Sequence, residues 1–358
     1  MASTDVPKNV HVIGSGLIGA SIALSLKNRS INVTFSDINP DHVEISRAIG
    51  LREYDSSFIP ELVFVCVPPA QAAEVLARAS QEFPEATITD VTSVKNTVLL
   101  RAAELGVDFA RLVSAHPMAG REVSGPRAAR ANLFEDRVWV VTPSPLSEPH
   151  RVRTIEQVIE LMGSTWIQMN AEHHDRVVAL VSHTPQILSS VLAGELMDQK
   201  PEDLAVSGAA LSDMTRIAAS DPGLWKEILL ANSQEVVGVM DSIITSMSRL
   251  RTAISTGDSA TIEEVLTRGN QGRSRVPGKH GGQYAAFESV SVMVSDKPGS
   301  LAELFTAAGA LDVNLEDVRI EHVMGRPSGI VELFVRQGEA EILEVGLVSQ
   351  GFDFRGRT

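Results

Sequence analysis

The chain has 358 residues, too long for one compact core, so we expect two or three domains. Its formal net charge of -14 argues against nucleic acid or an anionic membrane as the main partner. Cys66 is the only cysteine, which excludes an intrachain disulfide and favours a reducing compartment. No signal peptide and no apolar run of about 20 residues is recognisable, so a soluble cytoplasmic protein is expected.

The first predicted strand runs directly into a glycine-rich turn. Residues 10–13 are β-branched and short, as in a buried parallel strand, and a helix-like run begins at Ala20. The residues between them read Gly14-Ser15-Gly16-Leu17-Ile18-Gly19. A G-x-G-x-x-G motif between a strand and a helix is the context that dinucleotide binding requires. We expect these six residues to hold a pyrophosphate at the helix N-terminus.

Asp37 follows the second predicted strand, residues 32–35. Its distance from the glycines is that of an acid which accepts hydrogen bonds from the adenosine ribose hydroxyls. No Arg or Lys follows immediately to bind a 2′-phosphate, so the pattern favours NAD over NADP. A further strand, residues 62–67, places Val67 at the same sheet edge, and we assign it to the cofactor site.

Ser93 and His116 follow two later predicted strands, residues 86–91 and 112–115. His116 is expected just past the carboxyl end of its strand, where open α/β sheets place their ligands. Ser93 has two interpretations: an N-cap of the helix at 96–105, or a contact to substrate beside the nicotinamide. Two more strands complete the nucleotide-binding domain, which we expect to end near residue 169.

Long helical segments follow residue 170. Residues 171–197 are apolar on nearly every face, which predicts a buried helix with a kink at Pro185. His183 stands at this kink, either as a satisfied core residue or as a polar group in a binding site. His173, His174 and Asp175 fit no standard metal site with His183, so we predict a helix start there and no metal.

Asp213 and Arg216 stand three apart, as a surface ion pair or as a clamp for a carboxylate. Asp221 and Pro222 then begin a predicted single helix that continues to about residue 254. A helix of roughly 50 Å is longer than a small monomeric bundle needs, so we expect a homodimer built on this domain.

A glycine-rich, basic stretch at 268–286 is predicted to be a linker. Residues 287–358 then show the order βαββαβ, a ferredoxin-like arrangement, with a short or incomplete last strand. The predicted fold is therefore an α/β Rossmann domain at 1–169, an all-α domain at 170–267, the linker, and a small α+β domain.

Taken together, an ordered set of motifs closely resembles the prephenate/arogenate dehydrogenase family of tyrosine biosynthesis. The motifs, beyond the glycine turn, are Thr89-Asp90-Val91-Thr92-Ser93-Val94-Lys95, His116-Pro117-Met118-Ala119-Gly120 with Glu122 and Ser124, His174-Asp175-Arg176, Ser182-His183-Thr184-Pro185, and Thr215-Arg216-Ile217-Ala218-Ala219-Ser220-Asp221-Pro222 with Trp225. One departure is Arg121, where the family more often has a small polar residue.

The resemblance implies NAD-dependent oxidation of a ring hydroxyl with loss of carbon dioxide. His116 would be the base and Ser93 would hydrogen-bond the same hydroxyl. Arg216 would bind a substrate carboxylate, oriented by Asp213 and Glu122. The remaining substrate contacts would be His183, Ser124 and Trp225.

Several alternatives stay open at this point. The substrate is expected to be prephenate, with arogenate as the alternative; rivals are a hydroxyacid or imino-acid reductase and a non-catalytic NAD-dependent sensor. The last domain resembles an ACT domain through the segment 296–301 and residues 313–315. It is predicted either to bind an amino acid such as tyrosine near Gly299 and Asn314, or to be only a dimer contact.

Overall fold

The structure, a computed structural model, describes residues 6–120, 123–276, 287–322 and 328–357. The chain divides into two compact units, Met1–Ile244 and Thr245–Thr358. Each unit is described by itself.

The first unit begins with a five-stranded parallel sheet in the order β3-β2-β1-β4-β5. Its strands are β1 (Asn9–Ile13), β2 (Asn32–Ser36), β3 (Arg52–Glu53), β4 (Leu62–Val65) and β5 (Thr87–Asp90); the helices between them are α1 (Leu17–Lys27), α2 (Pro40–Ala48), α3 (Pro69–Glu82) and α4 (Asn96–Glu104). The strand order reverses between β1 and β4, so the carboxyl ends of these strands flank the crevice in which such sheets bind ligands. The predicted Rossmann-type α/β arrangement is confirmed.

A second sheet of three strands continues the chain in the order β6-β7-β8. Its elements are β6 (Val113–Pro117), β7 (Val138–Pro143), α5 (Pro149–Leu161) and β8 (Thr165–Gln168). The amide of Ile88 in β5 donates to the carbonyl of Arg111 at 2.9 Å, which places β6 beside β5. His116 lies within β6, opposite Val140, so the prediction that the strand ends before His116 is wrong. Pairing with β7 extends the strand through Pro117.

Helices make up the rest of the first unit. They are α6 (Ala171–Val178), a π turn (Ala179–His183), α7 (Thr184–Gly194), α8 (Pro201–Leu204), α9 (Ala209–Thr215), a 3-10 turn (Arg216–Ala219), α10 (Pro222–Ala231) and α11 (Ser233–Thr256), of which α11 continues into the second unit. The predicted kink near Pro185 takes the form of the π turn. Proline has no N–H, so the ordinary helical bond to the Val181 carbonyl is missing. In the same turn the Thr184 hydroxyl donates to the Ala179 carbonyl at 2.7 Å.

The predicted uninterrupted helix from Asp221 to residue 254 is wrong in one respect. Asp221 caps α10 by accepting from the Leu224 amide at 2.9 Å, as expected, but the helix breaks at Asn232, where φ is -116° and ψ is 29°. The side chain of Asn232 is buried and hydrogen-bonded, so the break has a structural cause described below.

One helical stretch of the described chain, Ala171–Gly194, is long and apolar enough to cross a bilayer, although the sequence analysis found no such run. The stretch meets this criterion by its length and composition only. The stretch is interrupted by the π turn and buries the polar side chains of His174, Asp175 and His183. Buried polar groups of this kind are typical of a helix packed within a protein.

The second unit contains α12 (Ser259–Arg273) and a four-stranded antiparallel sheet in the order β10-β11-β9-β12. The elements after α12 are β9 (Phe287–Ser295), α13 (Ser300–Gly309), β10 (Asp317–His322), β11 (Ser328–Arg336), α14 (Ala340–Ser349) and β12 (Asp353–Arg357). Helix α12 extends to Arg273, so the linker predicted at 268–286 begins too early; its residues 277–286 lie outside the described part. Despite its short length, β12 pairs with β9, with an irregularity between Phe354 and Gly356.

Candidate active site

The glycine turn joins β1 to α1 at the carboxyl edge of the parallel sheet. Gly14 has φ of +93°, and a Cβ there would lie 2.5 Å from the Cys66 carbonyl oxygen. A Cβ on Gly19 would lie 1.9 Å from the Gly14 carbonyl oxygen. Both positions therefore exclude a side chain because the backbone packs tightly around them. A Cβ on Gly16, by contrast, would meet nothing within 4 Å, which leaves open space above the turn.

That open space lies at the N-terminus of α1. Gly16 caps the helix without a side-chain hydrogen bond, and Leu17 and Ile18 form its first, half-buried positions. Val67, just after β4, approaches the turn so closely that a Cβ on Gly14 would lie 3.1 Å from its Cγ1. Free helical N–H groups beside open space are suited to an anionic group such as a pyrophosphate.

Asp37 closes the other side of this crevice. One oxygen of its carboxylate accepts from the Ser15 amide at 2.6 Å and from the Ser15 hydroxyl at 3.1 Å. The His42 Nδ1 lies 3.4 Å from this same oxygen, and the other oxygen accepts from the Asn39 amide at 2.8 Å. These contacts hold an acceptor at the tip of β2, where it can bind ribose hydroxyls and repel a 2′-phosphate.

A buried ion pair lies beneath the loop from β5 to α4. The Lys95 ammonium lies 2.6 Å from the Asp90 carboxylate, and both side chains are 0% exposed. Asp90 also accepts from the Thr92 amide at 3.1 Å and from the hydroxyls of Thr92 and Ser114. Burial lowers the pKa of Lys95 while Asp90 opposes that change. The pair fixes the loop that carries Ser93.

Asp175 joins this loop to the helical region. Its two carboxylate oxygens accept from the backbone amides of Lys95 at 2.9 Å and Asn96 at 2.8 Å. These amides belong to the first turn of α4, so Asp175 caps a helix that is distant in sequence. Ser93 is not the cap: the N-cap position is Lys95, without a side-chain bond of its own. The capping interpretation of Ser93 is therefore wrong, and its half-buried hydroxyl stays a substrate-contact prediction.

His116 and His174 lie side by side next to Asp175. Nδ1 of His174 lies 2.7 Å from an Asp175 oxygen, and its Nε2 lies 2.9 Å from Nδ1 of His116. His174 is fully buried, whereas His116 is partly exposed. Loss of water around the ring, and then the neighbouring His174, Lys95 and His183, hold the pKa of His116 well below its usual 6.5. His116 is therefore a neutral imidazole at neutral pH.

His183 is linked to Asp175 through the side chain of Asn232. The Asn232 side-chain nitrogen donates to the Asp175 carbonyl at 2.9 Å and lies 3.2 Å from Nδ1 of His183. The His183 ring stands edge-on to Trp225, with centroids 6.0 Å apart. Burial lowers the pKa of His183 to about 4, and its Nε2 is buried with no hydrogen-bond partner among the described residues.

The other predicted substrate residues are exposed or lie outside the described residues. Arg216 is exposed in the 3-10 turn, which packs against α7, and Asp213 is exposed in α9. Because α9 ends at Thr215, the two do not share one continuous α-helical face as predicted. Ser124 is exposed, and Arg121 and Glu122 lie outside the described residues.

The sequence analysis missed five residues that build the site: Asp90, Lys95, His174, Asp175 and Asn232. The first four belong to the motifs on which the family resemblance depends, but the sequence did not show which distant groups they contact. Asn232 had no signal beyond a polar residue in an apolar helical stretch. Among the described residues, no group of three or more His, Cys, Asp or Glu is arranged to hold a metal ion.

Two family models match the chain in succession. Residues 22–168 match the model described as the nucleotide-binding domain of prephenate dehydrogenase. Residues 170–268 match the model described as the dimerization domain of prephenate dehydrogenase. The two matches cover the second half of α1, the strands from β2 to β8, and the helical region that carries His174, His183 and Asn232.

Similar proteins extend these matches. NovF of Streptomyces niveus, described as a probable prephenate dehydrogenase, is 30% identical over 346 residues, which cover 93% of this chain and 95% of NovF. The cyclohexadienyl dehydrogenase of Zymomonas mobilis is 31% identical over 286 residues, 76% of this chain and 97% of that protein. The prephenate dehydrogenase of A. aeolicus, solved in complex with hydroxyphenyl propionate and NAD+, is 29% identical with a TM-score of 0.67 and covers 74% of this chain and 97% of its own.

Proposed function

The chain belongs to the prephenate dehydrogenase family, and from that premise we propose that it oxidises prephenate with NAD to 4-hydroxyphenylpyruvate and carbon dioxide. The observation that carries the proposal is the His116 ring in β6, whose Nδ1 lies 2.9 Å from Nε2 of the buried His174 and whose pKa is held well below 6.5 by burial. A neutral imidazole can accept the proton of a substrate hydroxyl, which this oxidation requires.

The glycine turn fits NAD by its shape and charge. Gly14 and Gly19 allow the tight turn, Gly16 leaves space for a pyrophosphate, and Asp37 provides the ribose acceptor. Ser15, Leu17, Ile18 and Val67 complete the proposed cofactor site. The bound nicotinamide would supply the acceptor for the hydride that leaves the substrate. The negative charge of Asp37 supports NAD rather than NADP as the cofactor.

At the ring carbinol, Nε2 of His116 would take the hydroxyl proton as the hydride leaves the same carbon. The bond between the ring and its carboxylate then breaks, carbon dioxide leaves, and the electron pair enters the ring as it becomes aromatic. The proton on His116 returns to the phenolate oxygen. Atoms and charge balance without a metal ion or a second oxidant, and the main task of the protein is orientation.

We assign substrate positioning to the residues around His116. Ser93 would hydrogen-bond the reacting hydroxyl, and Arg216 would bind a carboxylate as a bidentate partner. His183 and Trp225 would form one wall of the site, supported by their 6.0 Å ring contact. Ser124, Asp213 and Glu122 stay in the proposal as further contacts, on the basis of the resemblance.

The deciding experiment measures NADH formation by the purified protein with prephenate and arogenate supplied separately. We expect turnover on prephenate, with 4-hydroxyphenylpyruvate as the product. Turnover on prephenate alone would make Arg121 a specificity candidate, whereas turnover on arogenate alone would keep the oxidation chemistry and reverse the choice of substrate. A folded, NAD-binding protein with no turnover on either would contradict the catalytic proposal and favour the sensor.

We also propose a homodimer built on the helical domain. Several apolar side chains of this region are exposed in one chain: Leu180, Val181, Leu188, Val191 and Met197. Burial of such a surface against a second copy would be favourable, and the matched dimerization-domain model supports the same assembly. Sedimentation of the purified protein tests this, and a monomer at micromolar concentration would contradict it. A cytoplasmic location stays part of the proposal.

For domain boundaries we propose 1–169, 170–267 and 287–358, with a connecting segment between the last two. The order βαββαβ and the strand order β10-β11-β9-β12 support a ferredoxin-like, ACT-like last domain.

Gly299 (φ +94°) begins α13, and the exposed Asn314 donates to Glu316 at 3.0 Å. We propose that an amino acid such as tyrosine binds near these two residues. Tyrosine titration of the full chain, with Asn314→Ala as comparison, tests this: unchanged calorimetric heats and activity would contradict it.

A further inference from the structure

The geometry points to opposite protonation of two histidines: we propose that Asp175 and Asn232 hold Nε2 of His116 without a proton and Nε2 of His183 with one. His116 then accepts a hydrogen bond from substrate while His183 donates one. Asp175, His174 and Asn232 are positioning residues in this proposal, because they act through the two histidines. The inference rests on the proposed function for its substrate, but the protonation pattern can be measured without turnover.

The first chain of hydrogen bonds begins at the Asp175 carboxylate, which can only accept. Nδ1 of His174, 2.7 Å away, must therefore carry a proton. His174 is buried, and removal from water disfavours its charged form, so its Nε2 carries a lone pair. That lone pair faces Nδ1 of His116 at 2.9 Å, which must be the donor. In neutral His116 the remaining nitrogen, Nε2, is left free to accept.

The second chain begins at the backbone carbonyl of Asp175, which also can only accept. The end of the Asn232 amide that lies 2.9 Å from this oxygen must be its NH2 group. The same NH2 group lies 3.2 Å from Nδ1 of His183, so Nδ1 must accept. In neutral His183 the proton then lies on Nε2, which is buried without a partner among the described residues.

A buried N–H group without an acceptor is costly, so Nε2 of His183, at the end of this second chain, calls for a ligand oxygen. A carboxylate or keto oxygen can accept from His183, whereas an ammonium group cannot. Asp175 thus sets the protonation of both histidines. Its carboxylate acts on His116 through His174, and its backbone carbonyl acts on His183 through Asn232. The pair selects a substrate that offers a hydroxyl proton to one ring and an oxygen acceptor to the other.

The direct test is long-range 1H–15N NMR of histidine-labelled full-length protein at neutral pH. The His116 and His183 signals are assigned with His116→Gln and His183→Gln. We expect His116 to show the Nδ1-protonated pattern and His183 the Nε2-protonated pattern. The same tautomer for both rings, or a reversal of either, would overturn the inference whatever the enzyme turns over.

Asn232→Asp provides the second test, because a carboxylate at this position accepts from Nδ1 and drives the proton of His183 away from Nε2. We expect the His183 signal to change tautomer and kcat/KM for prephenate to fall about tenfold or more, mainly through KM, while the KM for NAD is unchanged. Asn232→Ala repeats the kinetic test if the Asp variant fails to fold.

Thr97→Val is the matched control. Its hydroxyl donates to the Ala231 carbonyl at 2.7 Å, at the same helix junction, and touches neither histidine. We expect both tautomers and both KM values to stay at their wild-type values in this variant. A loss equal to that of Asn232→Ala would assign the effect to the helix junction and overturn the role of Asn232. Wild-type protein with the expected tautomers but no turnover would contradict the proposed function alone.

Discussion

The glycine turn and the histidine cluster are built in opposite ways. The turn and its acid, Ser15 and Asp37, are 22 residues apart and belong to one β-α-β unit. In the cluster, Asp175 caps a helix whose first amide is 80 residues earlier in the chain, and Asn232 reaches Asp175 across 57 residues. A short segment can therefore specify the cofactor site, whereas the catalytic cluster forms only after the helices pack on the sheet. Substitutions in the glycine turn and in the histidine cluster should therefore have different effects.

The largest effect is expected at His116. His116→Asn removes the base, and we expect kcat on prephenate to fall about a thousandfold. NAD affinity should be unchanged, because among the described residues no hydrogen bond or ring contact joins the glycine turn to this ring. Steady-state kinetics and NAD titration measure the two quantities. A loss of NAD affinity equal to the loss of rate would show that the two regions are not independent.

Lys95→Met breaks the buried ion pair and leaves the Asp90 carboxylate without its cation. We expect the free energy of unfolding to fall by about 3–5 kcal/mol. The double variant, with Asp90→Asn as well, should recover part of that loss because no unpaired charge remains. Urea unfolding measures both. Equal stability of the single and double variants would contradict the account of this pair.

Within the glycine turn, two alanine substitutions should differ. Gly19→Ala forces a Cβ against the Gly14 carbonyl, so we expect a loss of stability of about 1–3 kcal/mol even without NAD. Gly16→Ala places its Cβ in open space, so thermal stability should be retained while NAD binding weakens. Melting curves and NAD titration make the comparison. If Gly16→Ala bound NAD normally, the pyrophosphate would not lie above this residue.

The smallest effect is expected when kcat/KM is measured as a function of pH. Burial and the neighbouring His174, Lys95 and His183 lower the pKa of His116, and a base acts in its unprotonated form. The unprotonated form persists above the folded pKa, so kcat/KM should be constant from about pH 8 down through 6.5 and fall only at more acidic pH. A pH–rate profile with its midpoint at or above 6.5 would show that His116 is not shielded as described.

The sequence predicted the local features well. The strand before Gly14, the turn, Asp37 and the cap at Asp221 all depend on neighbours in the chain, and the structure has them. The errors concern tertiary contacts: β7 extends the strand at His116, Asp175 caps the helix in place of Ser93, and the helix breaks at Asn232, whose side chain donates to Asp175. No local pattern shows which distant group will satisfy a polar side chain.

The most direct test of the central claim uses prephenate that carries deuterium on the ring carbinol carbon. Mass spectrometry follows the label while NADH and carbon dioxide are counted. We expect one deuterium in the reduced cofactor for each carbon dioxide released by the wild-type protein, at a rate about a thousandfold lower in His116→Asn. Deuterium that remains in the aromatic product, or His116→Asn that turns over at the wild-type rate, would contradict the proposed reaction at His116.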